Sequence, residues 1–514
     1  MIWRIVILMI TLWSSSNLNA QKHDFQWLFG ARSAGTVNEV ENINFDFNDR
    51  PASLDIVDST DLVFFYTGTR ISDSTGNLLF YSNGCEIKNR FGVQMENGNS
   101  INPGTVADFY CDPNDVHTYP GSAQSMLSLP QPGHDSLWYV FHNTIEIEPF
   151  IHIGDAKYSI IDMHLDSGAG AVSQKGIVYD TFTANGQLTA ARSADMSAWL
   201  IPVAKRSNES ISVYRLDSTG FELQHQQSIG INSWPQNEGG SSYYTRFSPD
   251  GTLYARYGLG LGLELFDFDR ETGIFSNYRF LEPPLDDTIG FGGIEFSPNG
   301  RFIYIANIWH VEQLDLWAPT LEEGLERIFS VPDEDLDTLF PPVLAYPQLG
   351  PDCRLYIFCG SCSSVHLIHR PNELGQDCML EYKAFETPTS YFRGTPVFPK
   401  YRMKALGDTS SICDHVTASV ISSTSDPTIS GGQEMFLYPN PAQDEIRLLW
   451  PEETGDIHWR LYDLQGSVAV QGNVSQQLAH EALRIDVQSL VPGIYIIHAQ
   501  DENGFSWVKR FVKD

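Results

Sequence analysis

Two cysteines separated by two residues form the pair with the clearest potential for chemistry. Cys359-Gly-Ser-Cys362 has the spacing of a redox dithiol. In such dithiols the first thiol usually lies at a helix N-terminus, where the helix dipole lowers its pKa. Here residues 355–358 and 365–368 are rich in β-branched and aromatic side chains, which predicts two strands of a hairpin. Without a helix the acidifying effect is missing, so redox catalysis is disfavoured.

The other cysteines could bind zinc or form disulfides. Zn²⁺ accepts Cys and His ligands at short spacings, and the candidates are Cys353, Cys359, Cys362, His366, His369 and Cys378. The chain has 7 cysteines, an odd number that leaves at least one without a partner in the same chain. In an oxidising compartment, disulfides are the better interpretation. The favoured pairs are Cys85–Cys111 and Cys353–Cys378, with Cys359–Cys362 and a link to Cys413 left open.

Two acidic segments could offer oxygen ligands to calcium. They are residues 112–115, Asp-Pro-Asn-Asp, and residues 333–337, Asp-Glu-Asp-Leu-Asp. Neither follows the twelve-residue EF-hand pattern, which needs acids at alternating positions and a central glycine. Solvated acidic loops are the preferred interpretation, with structural calcium as the alternative and no metal ligand assigned.

No familiar catalytic motif is found in the chain. The glycine-rich residues 257–263 lack the Lys-Ser/Thr of a phosphate-binding loop, and neither Gly-X-Ser-X-Gly nor His-Glu-X-X-His occurs. We therefore assign no catalytic or cofactor-binding residue. Enzymatic activity is left open, and a non-enzymatic role is favoured.

Charge and the first twenty residues indicate an exported protein. The formal net charge is −32, from 32 Lys+Arg against 64 Asp+Glu, which disfavours binding to nucleic acids and anionic membranes. Residues 1–20 combine an early arginine, an uncharged apolar run and a polar end, as in a secretory signal peptide. Cleavage is expected between Ala20 and Gln21. No later stretch approaches 18 apolar residues, so no transmembrane helix is predicted.

Residues 21–407 repeat one pattern of β-rich runs separated by tight turns. Phe247-Ser-Pro-Asp-Gly251 and Phe296-Ser-Pro-Asn-Gly300 are 49 residues apart, and a related turn follows at 349–353. This spacing is typical of four-stranded propeller blades. We predict an all-β propeller of seven blades, with six as the alternative, instead of tandem sandwiches. Segments 25–48 and 394–404 are expected to close a composite blade, and residues 321–329 to form a short helix.

Two further units follow the propeller. Residues 408–433 are rich in Ser and Thr and predict a flexible linker. Residues 434–514 contain five strand-like runs separated by Gly- and Asn-containing turns, which predicts a small immunoglobulin-like β-sandwich.

The last unit resembles the type A C-terminal sorting domain of type IX secretion. The resemblance is carried by four fragments in the expected order, namely Tyr438-Pro439-Asn440-Pro441, the Leu-Tyr-Asp-Leu-Gln run ending at Gly466, the run containing Gly493 and Tyr495, and the basic end from Lys509 to Lys513. It implies passage to the periplasm, contact with the type IX machinery and export to the cell surface or medium. It also implies that the domain is usually removed. An adhesion module that stays attached is the alternative.

The preceding part resembles exported β-propeller proteins that carry such sorting domains. The likeness includes the two Phe-Ser-Pro-X-Gly turns and residues 77–85, 102–104, 124–130, 158–163 and 371–375. It implies no activity. Without a catalytic motif, we favour a binding module for a glycan or other cell-surface component. A polysaccharide-acting hydrolase or lyase and a structural component of an adhesive layer are the alternatives.

Overall fold

A computed structural model describes most of the chain. The described residues are 22–32, 40–49, 52–57, 62–65, 67–112, 117–146, 152–181, 183–184, 186–205, 209–230, 243–258, 261–282, 292–336, 341–408, 412, 436–438, 442–449, 456–463, 468–474, 482–501 and 506–513. The predicted signal peptide with Ala20 and Gln21 and nearly all of the predicted linker lie outside them.

The described residues before residue 392 form seven antiparallel sheets in chain order. Two three-stranded sheets come first: β1 (Gln26–Arg32), β2 (Val40–Asp46), β3 (Ser53–Val57); then β4 (Thr69–Ser72), β5 (Leu78–Ser82), β6 (Ile87–Asn89). Two four-stranded sheets follow: β7 (Met126–Pro130), β8 (Leu137–Glu146), β9 (His152–Asp162), β10 (Ala171–Thr181); then β11 (Ala191–Arg192), β12 (Trp199–Ala204), β13 (Ser210–Asp217), β14 (Gly220–Ser228).

The fifth to seventh sheets also have four strands each. They are β15 (Tyr243–Phe247), β16 (Leu253–Gly258), β17 (Gly262–Phe268), β18 (Phe275–Leu281); β19 (Gly293–Phe296), β20 (Phe302–Ala306), β21 (His310–Asp315), β22 (Leu325–Ser330); and β23 (Tyr346–Leu349), β24 (Leu355–Phe358), β25 (Cys362–Ile368), β26 (Leu380–Tyr391). In the described part of the propeller, three short α-helices lie between strands: α1 (Thr105–Tyr110), α2 (Leu321–Gly324) and α3 (Asp333–Leu336).

The repeated turn connects the first and second strands of a sheet. Between β15 and β16, Oδ1 of Asp250 accepts hydrogen bonds from Ser248 Oγ (2.5 Å) and from the Thr252 backbone N–H (3.1 Å). Asn299 accepts the equivalent pair between β19 and β20. Gly251 has a φ of 72°, a left-handed conformation that glycine adopts without strain. The sequence pattern therefore marks the same turn in successive sheets, as predicted.

The sheets are arranged around an axis and close into a ring, which makes this part a β-propeller. The first strands of neighbouring sheets contact each other. For example, β1 contacts β4, and β19 contacts β23. The seventh sheet returns to the first, because β26 contacts β1 and β2. At this junction the Trp27 ring lies edge-on to Tyr356, with centroids 5.1 Å apart. One hydrophobic core runs through all seven sheets, so burial of aromatic and aliphatic side chains stabilises the ring.

Two local predictions about the propeller were wrong. Segment 25–48 pairs with β3 in its own sheet, and segment 394–404 contains no strand, so the two do not share a composite blade. Only residues 321–324 of the predicted helix are helical, and the next six residues form β22. Pairing with β21 overrides the helix-forming composition there, as tertiary context commonly does.

The C-terminal unit is a two-sheet sandwich, as predicted. One sheet consists of β27 (Phe436–Tyr438), β28 (Glu445–Leu449) and β31 (Leu483–Asp486). The other consists of β29 (Ile457–Tyr462), β30 (Val468–Val474), β32 (Gly493–Asp501) and β33 (Ser506–Lys513). Both sheets contribute to one core, for example through Ile446, Leu461 and Phe511. No helix in the described residues is long and apolar enough to cross a membrane.

Candidate functional site

Residues 394–404, which we name the axial segment, pass through the centre of the propeller. They follow the last strand, β26, and contact residues from each of the seven described sheets. These contacts, made by hydrogen bonds or ring packing, involve Trp27, Arg70, Ser128, Trp199, Arg270, Glu295 and Gln348. The chain itself therefore occupies the axial position, where many propellers have an open channel.

A buried charge cluster anchors the middle of the axial segment. The Glu295 carboxylate accepts hydrogen bonds from Lys400 Nζ (2.5 Å) and Arg246 Nε (3.1 Å), and Glu295 and Arg246 are at most 1% exposed. Burial alone would raise the pKa of Glu295, but the two cations more than offset it and the pKa is lowered. Burial also lowers the pKa of Lys400, against the opposing effect of Glu295. This cluster is a structural anchor, since both its cations are used by the carboxylate.

The two ends of the axial segment are held by arginines. At its start, the fully buried Arg70 donates to the carbonyls of Leu28 (2.6 Å) and Gly394 (2.8 Å), and burial lowers its pKa to about 9. Near its end, Arg402 donates to Oδ2 of Asp24 (2.9 Å). Because guanidinium groups can serve several acceptors at once, each arginine ties separate parts of the ring to the axial segment.

A concave surface lined by propeller residues and by Ile412 lies beside the repeated turns, and we name it the turn cleft. It has a volume of about 530 Å³ and lies where residues 404–408 leave the axis. Hydrogen-bonding side chains in its wall include Asp250, Asn299, Asn372 and Lys404, and the rings of Pro249 and Pro298 add apolar surface. Asn372 Oδ1 accepts a hydrogen bond from the Asn299 backbone N–H (2.9 Å), which joins the turns of two sheets.

An exposed tryptophan stands next to this cleft. Trp317 is 71% exposed and belongs to the β21–β22 connection, which lies at the same end of the sheet as the β19–β20 turn. Arg301 directly follows cleft residue Gly300, and its guanidinium lies 4.6 Å from the Trp317 ring centre. Arg301 is fixed in turn by Asp315 (2.6 Å). The ring is thus held as a flat apolar surface beside polar groups.

The cysteines give a mixed result for the predicted pairs. Cys85 and Cys111 form the predicted disulfide, and Cys359 and Cys362 form another at the hairpin between β24 and β25. The predicted Cys353–Cys378 pair is wrong, because Cys353 is disulfide-bonded while Cys378 is a free, buried thiol. Burial raises the pKa of the Cys378 thiol to about 12, which keeps it protonated and unreactive.

Metal binding finds no support among the described residues. No three of their His, Cys, Asp or Glu side chains are close enough together to hold an ion. His369 Nε2 instead lies 2.8 Å from a Glu381 carboxylate oxygen, and the His366 ring stacks on Tyr382. Asp335 of the acidic segment pairs with Lys383 (2.6 Å), and residues 113–115 and 337 lie outside the described part.

The residues that carry the sorting-domain resemblance fall on three strands where they are described. Tyr438 ends β27, Gly493 and Tyr495 begin β32, and Lys509 and Lys513 lie on β33. The Tyr495 and Phe511 rings stack with centroids 5.7 Å apart. Pro439, Asn440, Pro441 and Gly466 lie outside the described residues.

Residues 436–514 match the model of the secretion system C-terminal sorting domain. This part of the chain is a type IX secretion sorting domain. The protein is therefore exported to the cell surface or the medium, and the sorting domain implies contact with the secretion machinery. No curated protein is significantly similar to the chain in sequence.

Several solved structures are similar to this chain. A Bacteroides fragilis protein described as a 6-phosphogluconolactonase is 11% identical over 73% of this chain and 97% of its own, with a TM-score of 0.38. The propeller domain of Myceliophteria thermophila Cps50 is 8% identical over 65% and 92%, with a TM-score of 0.34. Saccharomyces cerevisiae Sqt1 is 10% identical over 69% and 85%, with a TM-score of 0.36.

The sequence reasoning missed the axial segment and its anchors. Glu295 stands in the otherwise apolar strand Gly293–Phe296, and it is completely buried. A carboxylate in such a strand is a sign of a buried cationic partner, since an unpaired buried charge is very costly. No local feature of the sequence identifies Lys400 as that partner.

Proposed function

We propose that this exported β-propeller protein is a binding module for an extracellular glycan, and that the ligand occupies the turn cleft. The observation that carries the proposal is a polar cleft with an exposed, fixed tryptophan at its side. Polar groups around a few apolar surfaces are typical of sites for small or flexible polar ligands. Sugars present hydroxyl groups at the ring edges and C–H groups on the ring faces, so they can use both kinds of surface.

The filled axis supports the choice of the turn cleft. Lys400 and Tyr401 occupy the centre of the ring through bonds to Glu295 and to the Ser128 carbonyl (2.5 Å for both). A ligand there would have to displace a segment that contacts all seven sheets. The turn cleft requires no such displacement, because its wall is built from turns and from residues that have already left the axis.

A larger cleft is a less suitable ligand site. It measures about 1190 Å³ and is lined by residues 327–334 and Gln376 of the propeller and by Arg447, Gly493 and Lys513 among the sorting-domain residues. Removal of the sorting domain, which its family implies, would remove one wall. A site that serves the processed protein should lie within the propeller.

Binding to a panel of extracellular polysaccharides tests the proposal. We expect saturable binding by the propeller-containing protein, with at least a tenfold weaker affinity for Trp317→Ala, since loss of about 1.4 kcal/mol of stacking corresponds to a factor of ten. The matched control is Trp309→Ala. Trp309 is 38% exposed in the β20–β21 connection, at the opposite end of the same sheet, and its removal should leave affinity unchanged.

The same assay separates the alternatives. Release of shortened saccharides would identify a hydrolase or lyase and contradict a pure binding role. Assembly of the protein into large species without any saccharide, with no binding in the panel, would instead favour a structural surface component. Equal loss of binding in the Trp317 and Trp309 variants would remove the turn cleft as the site.

A further inference from the structure

Lys404 differs from the other lysines of the propeller in the surroundings of its charge. The lysines that pair with a carboxylate are Lys88, Lys157, Lys205, Lys383 and Lys400. Lys22 and Lys175 donate to oxygens of asparagines, at 3.4 Å and 3.0 Å. Within the part of the chain that the structure describes, the ammonium group of Lys404 has neither a hydrogen-bond nor an ion-pair partner.

A cation without a counter-charge is unusual in a chain with so many acidic residues. The chain contains 64 Asp+Glu against 32 Lys+Arg, so most basic side chains find a carboxylate nearby. Lys404 is half-buried and lines the turn cleft. A charge withdrawn from water is normally paired, because its desolvation is costly. The missing counter-charge therefore indicates that the cleft accommodates an anionic group.

The backbone of Lys404 is held in place by Arg270. Nη2 of Arg270 donates to the Lys404 carbonyl (2.7 Å), and Nη1 donates to the Asp250 carbonyl (2.6 Å). Nε of Arg270 donates to the Arg192 carbonyl (2.8 Å). The Arg270 guanidinium also lines the cleft, but its donors serve these main-chain oxygens. Of the two cations in the described wall, Lys404 is thus the one whose donors are available to a ligand.

We propose that the turn cleft binds a saccharide that carries an acidic group, and that the Lys404 ammonium pairs with this group. A uronic acid carboxylate and a sulfate ester both offer oxygen acceptors to a lysine, which binds anions as a point charge. The inference rests on the glycan-binding function proposed above and names the class of sugar. In this arrangement Trp317 contacts the apolar face of a sugar ring, whereas Lys404 selects for charge.

The acidic residues of the cleft do not neutralise Lys404. Oδ1 of Asp250 accepts a hydrogen bond from Ser248 Oγ (2.5 Å), and Oδ2 accepts one from Thr252 Oγ1 (2.9 Å). Both oxygens therefore serve the turn to which Asp250 belongs. Asp408 is exposed to solvent and has an interaction partner of its own. An acidic group of a ligand can thus reach Lys404 without displacing a carboxylate of the protein.

The formal net charge of −32 restricts the ligand to one with sparse acidic groups. A densely charged polyanion is repelled by the field of the whole protein. At physiological ionic strength, charges more than about 8 Å apart are largely screened from each other. A single acidic group in the cleft therefore responds mainly to Lys404 and its neighbours, and short acidic fragments are better probes than long polyanions.

Binding of matched acidic and neutral saccharides to the full-length protein tests the inference. The probes are short fragments of polygalacturonate and alginate, each with its carboxyl methyl ester, and of a sulfated galactan, with its desulfated form. We expect at least one acidic fragment to bind about fivefold or more tightly than its neutral counterpart, because a charge-assisted hydrogen bond is lost in the neutral form. The carboxylate and sulfate pairs show which acidic group is preferred. Isothermal titration calorimetry measures the affinities.

Variants of Lys404 separate its charge from the other contacts of the ligand. In Lys404→Met the acidic fragment and its neutral counterpart should bind equally, whereas Lys404→Arg should keep the preference for the acidic form. The matched control is Lys175→Met, which removes an exposed lysine of β10 outside the cleft and should also keep the preference. Since Lys404 has no partner to lose, the Tm of Lys404→Met should lie within about 2 °C of that of the parent protein.

The outcomes distinguish this inference from the glycan proposal on which it rests. Equal affinity of the parent protein for acidic and neutral fragments, with weaker binding of both by Trp317→Ala, would overturn the acidic-sugar inference and leave a site for neutral glycans. A preference for the acidic form that persists in Lys404→Met would also contradict the inference, because another residue would then recognise the acidic group. Binding of no fragment, acidic or neutral, would contradict the glycan proposal and this inference with it.

Discussion

Lys400 Nζ lies 2.5 Å from Oε1 of Glu295, although 105 residues separate them in the chain. The contact joins the axial segment to the first strand of the sixth sheet, and Arg246 of the fifth sheet shares the same carboxylate (3.1 Å). Since all three side chains are at least 93% buried, the cluster ties the fifth and sixth sheets to the chain at the centre of the ring. Its loss should therefore weaken the whole propeller.

Removing the Lys400 charge should be strongly destabilising. In Lys400→Met the Glu295 carboxylate keeps only one of its two cationic partners in a buried site. Breaking a buried pair in this way typically costs about 3–5 kcal/mol. Urea denaturation monitored by tryptophan fluorescence measures the change in free energy of unfolding.

Lys383→Met is the matched control for this substitution. Lys383 pairs with Asp335 (2.6 Å) but its side chain is 37% exposed. A partly exposed pair of this kind contributes less than about 1 kcal/mol. If Lys400→Met lowers the free energy of unfolding by no more than the control does, the cluster does not anchor the axial segment.

Three buried histidines should make the protein sensitive to mild acid. Burial lowers the pKa of His23 to about 4 and of His142 and His366 to about 3, against 6.5 for an exposed histidine. Below pH 6.5 these histidines become protonated in the unfolded chain but stay neutral in the folded chain. Above pH 6.5 the free energy of unfolding is not reduced by these histidines. As the pH falls from 6.5 towards 4, the free energy of unfolding decreases by about 1.4 kcal/mol per pH unit for each histidine.

His142→Gln isolates one of these contributions. His142 is fully buried between Asn102 Oδ1 (2.7 Å) and Ser159 Oγ (3.0 Å). The free energy of unfolding, measured by urea titration at pH 7.5, 6.5 and 5.5, should depend less steeply on pH in the variant, by roughly one histidine's share. The control is His134→Gln, which removes a histidine at an exposed turn. Equal slopes in all three proteins would contradict the assignment.

The sequence could reveal the parts of this fold that repeat locally. The Phe-Ser-Pro-X-Gly turns predict the strand order because each is stabilised within five residues, by side chains such as Ser248 and Asp250. The axial segment could not be predicted, since its bonds are non-local and its residues form no regular element. The error at Cys353 has the same origin. The cysteine spacing favoured Cys378, 25 residues away, as the partner of Cys353. In the folded protein, Ile412 packs against Cys353 instead.

Gly394 should be essential where the axial segment begins. Its N–H donates to the Phe65 carbonyl (3.1 Å) and its own carbonyl accepts from Arg70 (2.8 Å). A Cβ at this position would overlap the backbone of Phe64. Because that obstacle is backbone and cannot rotate away, Gly394→Ala should cost about 3 kcal/mol or more, measured as the free energy of unfolding.

Gly407→Ala is the comparison for Gly394→Ala. A Cβ at Gly407 would meet no atom within 4 Å, but φ is +89°. Only a backbone penalty of about 1–2 kcal/mol is expected there. A larger loss in Gly407→Ala than in Gly394→Ala would mean that the close approach of the axial segment to Phe64 is not required for folding.

Deletion of residues 436–514 should abolish export while leaving the propeller folded. The described core of the sorting domain consists of its own residues, such as Leu448, Ile497 and Phe511, and the propeller core uses none of them. The truncated protein should therefore accumulate in the periplasm with the melting temperature of the full-length propeller within about 2 °C, since loss of a separate core removes little from the remaining one. Fractionation with immunoblotting locates the protein, and calorimetry gives the melting temperature.

A substitution inside the sorting domain tests whether export requires this domain to be folded and not merely present. Phe511 is completely buried and stacks on Tyr495, so Phe511→Ala should destabilise the sandwich by about 3–5 kcal/mol and reduce export without affecting the propeller transition. The matched change Val491→Ala alters a side chain that is 72% exposed, and export should continue. Normal surface delivery of the truncated protein would show that the sorting domain is dispensable. A drop of the propeller melting temperature in Phe511→Ala would instead show that the two cores unfold as one unit.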